Sequence, residues 1–431
     1  MKNLLGGITF LLIALLLASP WFVGGQIETY YASLVEEMQK RSPQIDLSDR
    51  TYKRGWFSST ITGTVAFTDG LSVDEMPLAV SYKSRVTHGP VFWSALAESP
   101  LGLALDRSKV WLTPKTEAPL FQEILFDLPR FTCTSRIHFK RNIDTRFGMD
   151  TYEKEVDVKG DPLAITFKGL SGSGTYNPQT KEAIFQALMP HLDMKGEGKA
   201  HLSLEGFSIT GSAQGNEGEF TYGLKKLLMV NKKERISLEE AYFSGGNKEA
   251  EEMYNAFFKC GFKALSSGEK TYAPASLHLT FSNLDKSSFD ALAQSLNEAT
   301  AKSQQMGSDM LGMVVMGKLM ETLPDILKRS PKIELKELLL GTPEKETLTA
   351  RGYATIDGQQ ASKLVPGPML IQAVDAEFSA SLPRGFAEKE IGLSRLSMLE
   401  GQKVLIFEEK SYTMKASAKK GAVTLNGVRI M

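Results

Sequence analysis

From Asp49 to the C-terminus the chain alternates apolar and polar positions with a period of two, interrupted by Gly, Pro, Asn and Asp. Ser59–Phe67 alternates small polar with apolar residues and meets a turn signal at Asp69-Gly70. Phe131–Lys140 is a second strand pattern. Between Leu163 and Phe243 the pattern predicts strands at Leu163–Phe167, Gly172–Tyr176, Ala183–Met189, Ala200–Leu204, Phe207–Gln214, Glu219–Val230 and Arg235–Phe243. Turns such as Asn177-Pro178 and Asn231-Lys232 separate them, with no room for a crossover helix, so the pairing is expected to be antiparallel.

Helical periodicity enters later. Glu249–Lys263 places Met253, Phe257 and Cys260 on one stripe, and Ser287–Leu327 reads as largely helical with a break near Pro324. Strand patterns resume at Ile333–Leu339, Glu346–Ile356 and Val374–Ser381. A helix is expected over Phe386–Leu399, and two closing strands, Ser411–Ala418 and Ala422–Arg429, turn through Lys419-Lys420-Gly421. The class is α+β: a large, mainly antiparallel sheet with a few helices packed on one face or at one end. The expected division is an N-terminal segment, 1–26, and one β-rich body, 27–431, with a soft boundary near 244–275.

Leu4–Val23 carries no charged residue, and as a helix it is roughly 30 Å long, the thickness of a bilayer's hydrocarbon. Lys2 precedes it, and Trp21 and Phe22 stand at its far end, where aromatic belts form. This predicts a single-pass signal-anchor with everything after Gln26 exported. The rival is a cleaved signal peptide, for which Val23-Gly24-Gly25 offers a site before Gln26. The length of the apolar run favours the anchor. So does the helical spacing of Ile27, Tyr30, Tyr31, Leu34 and Met38, which continues until Pro43.

Composition narrows the function. Apolar residues are 42%, charged 23% and aromatic 9%, as in ordinary globular chains. Lys plus Arg and Asp plus Glu are 50 each, so nothing draws the chain to nucleic acid. Two cysteines exclude a disulfide-dense scaffold; Cys133 and Cys260 either pair or, the favoured reading, are two separate buried thiols acting as small hydrophobes. No zinc-peptidase, nucleophile-elbow or dinucleotide motif occurs. Gly312–Lys318 has P-loop spacing, but Leu319 replaces the magnesium-binding Ser or Thr. The histidines at 88, 138, 191, 201 and 278 are not paired at metal-ligand spacing, so no metal or cofactor is expected. Glu234 and Glu240 would share a strand face roughly 20 Å apart, too far to flank one glycosidic bond. An enzyme is therefore not expected. Met306, Met310, Met313, Met316 and Met320 recur at helical spacing and form either core or an adaptable apolar groove.

Three short motifs carry a family likeness. Tyr52-Lys-Arg-Gly-Trp-Phe-Ser-Ser59, soon after the N-terminal segment, Thr87-His-Gly-Pro90, and Val423-Thr-Leu-Asn-Gly427 near the C-terminus resemble, in order and spacing, the signatures of the YdgA-like bacterial proteins. The residues carrying the likeness are Tyr52, Arg54, Gly55, Phe57, Ser58, His88, Gly89, Pro90, Asn426 and Gly427. It implies an inner-membrane protein with its bulk in the periplasm, and it implies no reaction. Within the motifs, Gly55 suits a bulge or a close backbone approach, and Gly89-Pro90 a turn that directs His88 toward a structural contact with Arg54.

The expected function is a non-enzymatic, membrane-anchored envelope protein that binds other proteins or its own copies. The alternative is a carrier of lipid or acyl chains in an apolar groove of the sheet.

Overall fold

The computed structural model describes residues 19–33, 35–36, 39, 45–47, 50–67, 72–73, 76–77, 79–90, 102–113, 129–158, 161–196, 200–231, 234–291, 317, 322, 325–361 and 368–430. The chain forms two compact units, Met1–Glu197 and Gly198–Met431.

In the first unit, strands β1 (Ile45–Asp46) and β2 (Arg50–Arg54) both pair with β3 (Ser58–Phe67). The short β4 (Ser72–Val73) and β5 (Met76–Pro77) pair with each other. An antiparallel meander then runs from β3 through β6 (Ala79–His88), β7 (Ala104–Thr113) and β8 (Phe131–Ile137) to β9 (Ile143–Met149). β10 (Tyr152–Val158) continues the line of β9, and β11 (Asp161–Phe167) runs on into β12 (Leu170–Asn177). β13 (Glu182–Lys195) closes the meander against both β12 and β11. Gly169 at φ +90° marks the interruption between β11 and β12. The N-terminal helix is described over 19–33, 35–36 and 39. Its Ile27 and Tyr31 pack on a core of Ile61, Val86 and Ala104. Among the described residues no helix is long and apolar enough to cross a membrane. Residues 4–18 of the expected span lie outside the described residues.

The second unit is a longer meander: β14 (His201–Gln214), β15 (Glu217–Val230), β16 (Arg235–Ala250), β17 (Met253–Phe262), β20 (Ala275–Asp285), β21 (Lys332–Gly341), β22 (Thr347–Ile356), β23 (Val374–Pro383) and β25 (Ser411–Lys419). β18 (Ala264–Ser267) and β19 (Lys270–Tyr272) extend β17 and β20 as a hairpin. β24 (Ile406–Glu408) and β26 (Ala422–Leu425) pair with β25, and β27 (Val428–Arg429) with β26.

Two expectations are corrected here. Glu249–Lys263 is not a helix. It is the end of β16, the turn Glu251-Glu252 at φ 48° and 63°, and β17. Both turn residues are left-handed, the geometry that matches strand twist in a two-residue hairpin. Phe257 and Cys260, three apart, then point to opposite faces, so their helical spacing has no bearing. The expected helix Phe386–Leu399 is two, α1 (Arg384–Glu390) and α2 (Leu393–Gly401), divided by Gly392 at φ 87°. The helix expected from Ser287 is described only over 286–291, capped by Asp285, and at 317, 322 and 325–327. Met306, Met310, Met313, Met316 and Met320 lie outside the described residues.

One face of the second unit's sheet is apolar. A transverse row runs Gly211, Phe220, Gly245, Phe258, Leu279 and Leu335, and continues on the later strands. Beside it run Tyr222, Phe243, Cys260, Leu277, Leu338 and Ala350. Gly245 sits mid-strand because the Phe220 ring lies 3.1 Å from where its Cβ would be. α1 and α2 cover only one end of this face, through a core of Ala387, Leu396, Leu405 and Tyr412 with Met414 packed against it.

Candidate functional site

The two N-terminal motifs meet at the N-terminal helix. Strand alternation puts Tyr52, Ile61 and Ser84 on one sheet face, with Arg54, Ser59, Val86 and His88 beside them. The helix lies on that face. The Tyr52 hydroxyl donates to the Gly24 carbonyl at 3.3 Å. Arg54 Nη1 donates to Glu28 Oε2 at 3.1 Å, and its guanidinium lies 4.0 Å over the Trp21 ring. Trp21 in turn packs on Trp56 with ring centroids 5.4 Å apart. One turn along the helix, the Tyr31 and Tyr82 hydroxyls are 2.6 Å apart. Burial, with the bond to Tyr82, pushes the Tyr31 pKa above its ordinary range.

His88 is at the centre. Its Nε2 is 3.0 Å from Ser59 Oγ and its Nδ1 3.3 Å from the Trp56 carbonyl. A carbonyl only accepts, so Nδ1 carries the proton and the Ser59 hydroxyl donates to Nε2. Ser59 is 0% and His88 1% exposed. Burial pushes the His88 pKa below its ordinary value and outweighs the carbonyls of Trp56 and Pro20, which pull it up. A serine donating to an imidazole is the contact made in a nucleophile–base pair. Here Gly24 of the helix lies against the ring and Ser59 is fully buried, so the pair latches the helix to the sheet.

The glycines of the motifs build this geometry. Gly55 N–H donates to the Ser58 carbonyl at 2.9 Å, closing the turn between β2 and β3. A Cβ there would lie 2.7 Å from the same oxygen. Gly89, before the cis bond to Pro90, donates to the Leu103 carbonyl, and a Cβ would collide with the Gly102 carbonyl. Pro90 accepts from Gly102 N–H at 3.1 Å. The Phe57 carbonyl accepts from His88 N–H at 2.8 Å, while Ser58 pairs with Thr87 in the ladder. Arg54 and His88 do not bond each other; each grips a different part of the helix.

Farther along the same face Asp106 accepts from Ser84 Oγ and, at 2.8 Å, from Ser108 Oγ. Burial raises its pKa, and the two serines only partly offset that.

Asn426 and Gly427 belong to the second unit. They form the turn between β26 and β27, at φ 47° and 80°. Asn426 Oδ1 accepts from Lys415 N–H at 2.7 Å, and Nδ2 donates to the carbonyls of Lys403 and Val404 at 2.9 and 3.0 Å. This one side chain ties the C-terminal hairpin to the loop after α2.

The other candidates are dispersed. Cys133 and Cys260 are free thiols. His138 pairs with Asp144 at 2.6 Å, and Glu240 with Lys263 at 2.6 Å. Among the described residues no group of His, Cys, Asp or Glu is placed to hold a metal ion.

Sequence reasoning missed the helix side of the latch: Gly24, Gly25, Glu28 and the Tyr31–Tyr82 pair. The signal was there in Gly24-Gly25, a costly pair inside a helix that calls for close approach. A Cβ on Gly25 would lie 3.0 Å from Arg54 Nη1.

A family model described as a bacterial protein of unknown function (DUF945) matches residues 1–430. No curated protein matches, and no solved structure does.

Proposed function

We propose a function from the premise that the chain belongs to DUF945, a family of bacterial proteins of unknown function. The protein is a non-enzymatic envelope protein, held in the inner membrane by its N-terminal segment, and it binds acyl chains of lipid on the apolar face of its second unit. The likeness of its motifs to those of the YdgA-like proteins supports the address. The latch supports an uncleaved segment, because cutting before Gln26 would remove Trp21 and Gly24 from the grip of Arg54, Tyr52 and His88.

One observation carries the ligand. The aromatic cluster Phe207, Phe220, Tyr222, Phe243 and Phe258 is packed ring to ring, yet Tyr222 and Phe243 remain 39% and 38% exposed. Apolar surface left open in a continuous strip marks a binding face. At about 4.8 Å per strand the strip is tens of ångströms long, in proportion to an acyl chain.

The test is organic extraction of the purified full chain, followed by mass spectrometry. Phospholipid should co-purify, and Tyr222→Glu with Phe243→Glu should lower its amount at least about tenfold. Equal recovery from the variant, or none above that of an unrelated single-pass protein, overturns the reading.

A further inference from the structure

The opposite face of the second unit carries a row of cations. Arg351 in β22 stands beside Ser379 in β23, which stands beside Lys415 in β25. Lys336 lies next to Arg351, at the irregular stretch of β21 between Leu335 and Leu338. The nearby acids already have other partners. Glu334 pairs with Lys332 at 3.3 Å, Glu377 with Lys419 at 2.8 Å, and Glu337 accepts from Ser276 Oγ at 2.9 Å. Lys336, Arg351 and Lys415 have no carboxylate at ion-pair distance among the described residues.

Two concavities, of about 550 and 440 Å³, flank the row, and both are bordered by Lys336, Arg351, Ser379 and Lys415. Hydroxyls edge them: Ser417 and Thr424 on one side, Ser381 and Thr413 on the other.

We propose that Arg351, Ser379 and Lys415, with Lys336 beside them, form a binding site for a phosphate group. The guanidinium offers a planar fork that matches two phosphate oxygens, and the ammonium groups add point charge. The Ser379 hydroxyl lies between them and donates to a third oxygen. Glu334, Glu337 and Glu377 also border the concavities, but none is paired with the three cations, so an anion entering the row displaces no internal ion pair. The phosphate belongs either to free inorganic phosphate or to a lipid headgroup. The site lies on the polar face and does not depend on the apolar strip.

The test is calorimetric titration of the full chain in neutral detergent with three soluble probes: inorganic phosphate, dihexanoyl phosphatidylglycerol and dihexanoyl phosphatidylcholine. Saturable binding of inorganic phosphate, weakened at least about tenfold in Arg351→Gln/Lys415→Gln, supports a site for free phosphate. Saturation by phosphatidylglycerol alone, lost in the same variant, supports a headgroup site. Arg351→Lys, which keeps the charge and loses the fork, should fall between. The three side chains are exposed and unpaired, so an unchanged melting temperature confirms that the variants fold. Failure of every probe to saturate, or binding unchanged in the double variant, overturns the proposal.

Discussion

Gly24 of the N-terminal helix and His88 of β6 are packed so tightly that a Cβ on Gly24 would lie against the imidazole, 2.7 Å from Nδ1. The helix can approach that closely only because Gly24 has no side chain. Gly24→Ala brings two opposed effects. It gains about 1 kcal/mol of helix propensity, and it overpacks a site beside a side chain only 1% exposed, at about 1–3 kcal/mol. Overpacking wins, so the helix should lift. Fluorescence of the Trp21–Trp56 pair and hydrogen exchange over residues 19–33 read this directly. His88→Ala alone should also loosen the helix, but in the Gly24→Ala background it should restore part of the protection. Additive effects in that double-mutant cycle would refute direct packing.

The buried imidazole also sets a pH dependence. Burial holds the His88 pKa below its ordinary 6.5, so below pH 6.5 the unfolded chain binds a proton that the folded chain refuses. Stability is therefore full above pH 6.5 and falls as pH drops toward the folded value. Melting temperatures measured between pH 7.5 and 5 should decline, and His88→Gln should flatten that part of the curve. An identical slope in the variant would assign the decline to other groups.

Legibility in the sequence followed the range of the interactions. Strands such as Ser59–Phe67 and Glu219–Val230 were legible because alternation is local and sets an apolar face against a polar one. Their antiparallel order followed from connections too short to cross over. His88 stood out through the Gly89-Pro90 turn, but its partner Ser59 did not, because the β3–β6 register that joins them is set over a separation of 29 residues. Glu249–Lys263 misled for the converse reason. Its opening Glu-Ala-Glu-Glu-Met favours helix, and the Glu251-Glu252 turn lacks the Asn-Gly or Asp-Gly that marks a two-residue hairpin. Pairing with β16 and β20 on both edges overrode local preference. Gly24-Gly25 was legible as small residues, and so as a cleavage signal; only the fold reveals what their smallness makes room for.

Asn426 is matched to its place by both backbone and amide. At φ 47° it occupies a region that Asn tolerates better than most residues, and its amide makes three hydrogen bonds. Asn426→Gly keeps the backbone freedom and loses those bonds, so it should cost about 2 kcal/mol. Asn426→Asp should cost at least as much, because a carboxylate would face the Lys403 and Val404 carbonyls with no donor. Chemical denaturation of the full chain measures both, and Asn426→Asp being as stable as wild type would show that the amide donors contribute nothing.

Asp285 tests the opposite sign of linkage. Burial alone would raise its pKa, but hydrogen bonds from Ser288 Oγ, Ser288 N–H and Ser287 Oγ, with Arg329, bring it down to about 2. The Ser288 N–H bond is a helix N-cap, and Arg329 also reaches Glu252 in the β16–β17 turn at 3.4 Å. A depressed carboxylate contributes stability above its ordinary pKa of 3.8 and loses it as pH falls toward 2. Asp285→Ala should therefore destabilise by about 1 kcal/mol at pH 7, after allowance for solvent screening of the Arg329 pair. The deficit should shrink steadily below pH 3.8 as wild type loses the same charge. Asp285→Asn, which keeps an acceptor for the cap but not the charge, separates the two contributions: it should recover the cap and not the pH dependence. A deficit that stays constant from pH 7 to pH 2 would mean that the ionised carboxylate plays no part in holding this helix start.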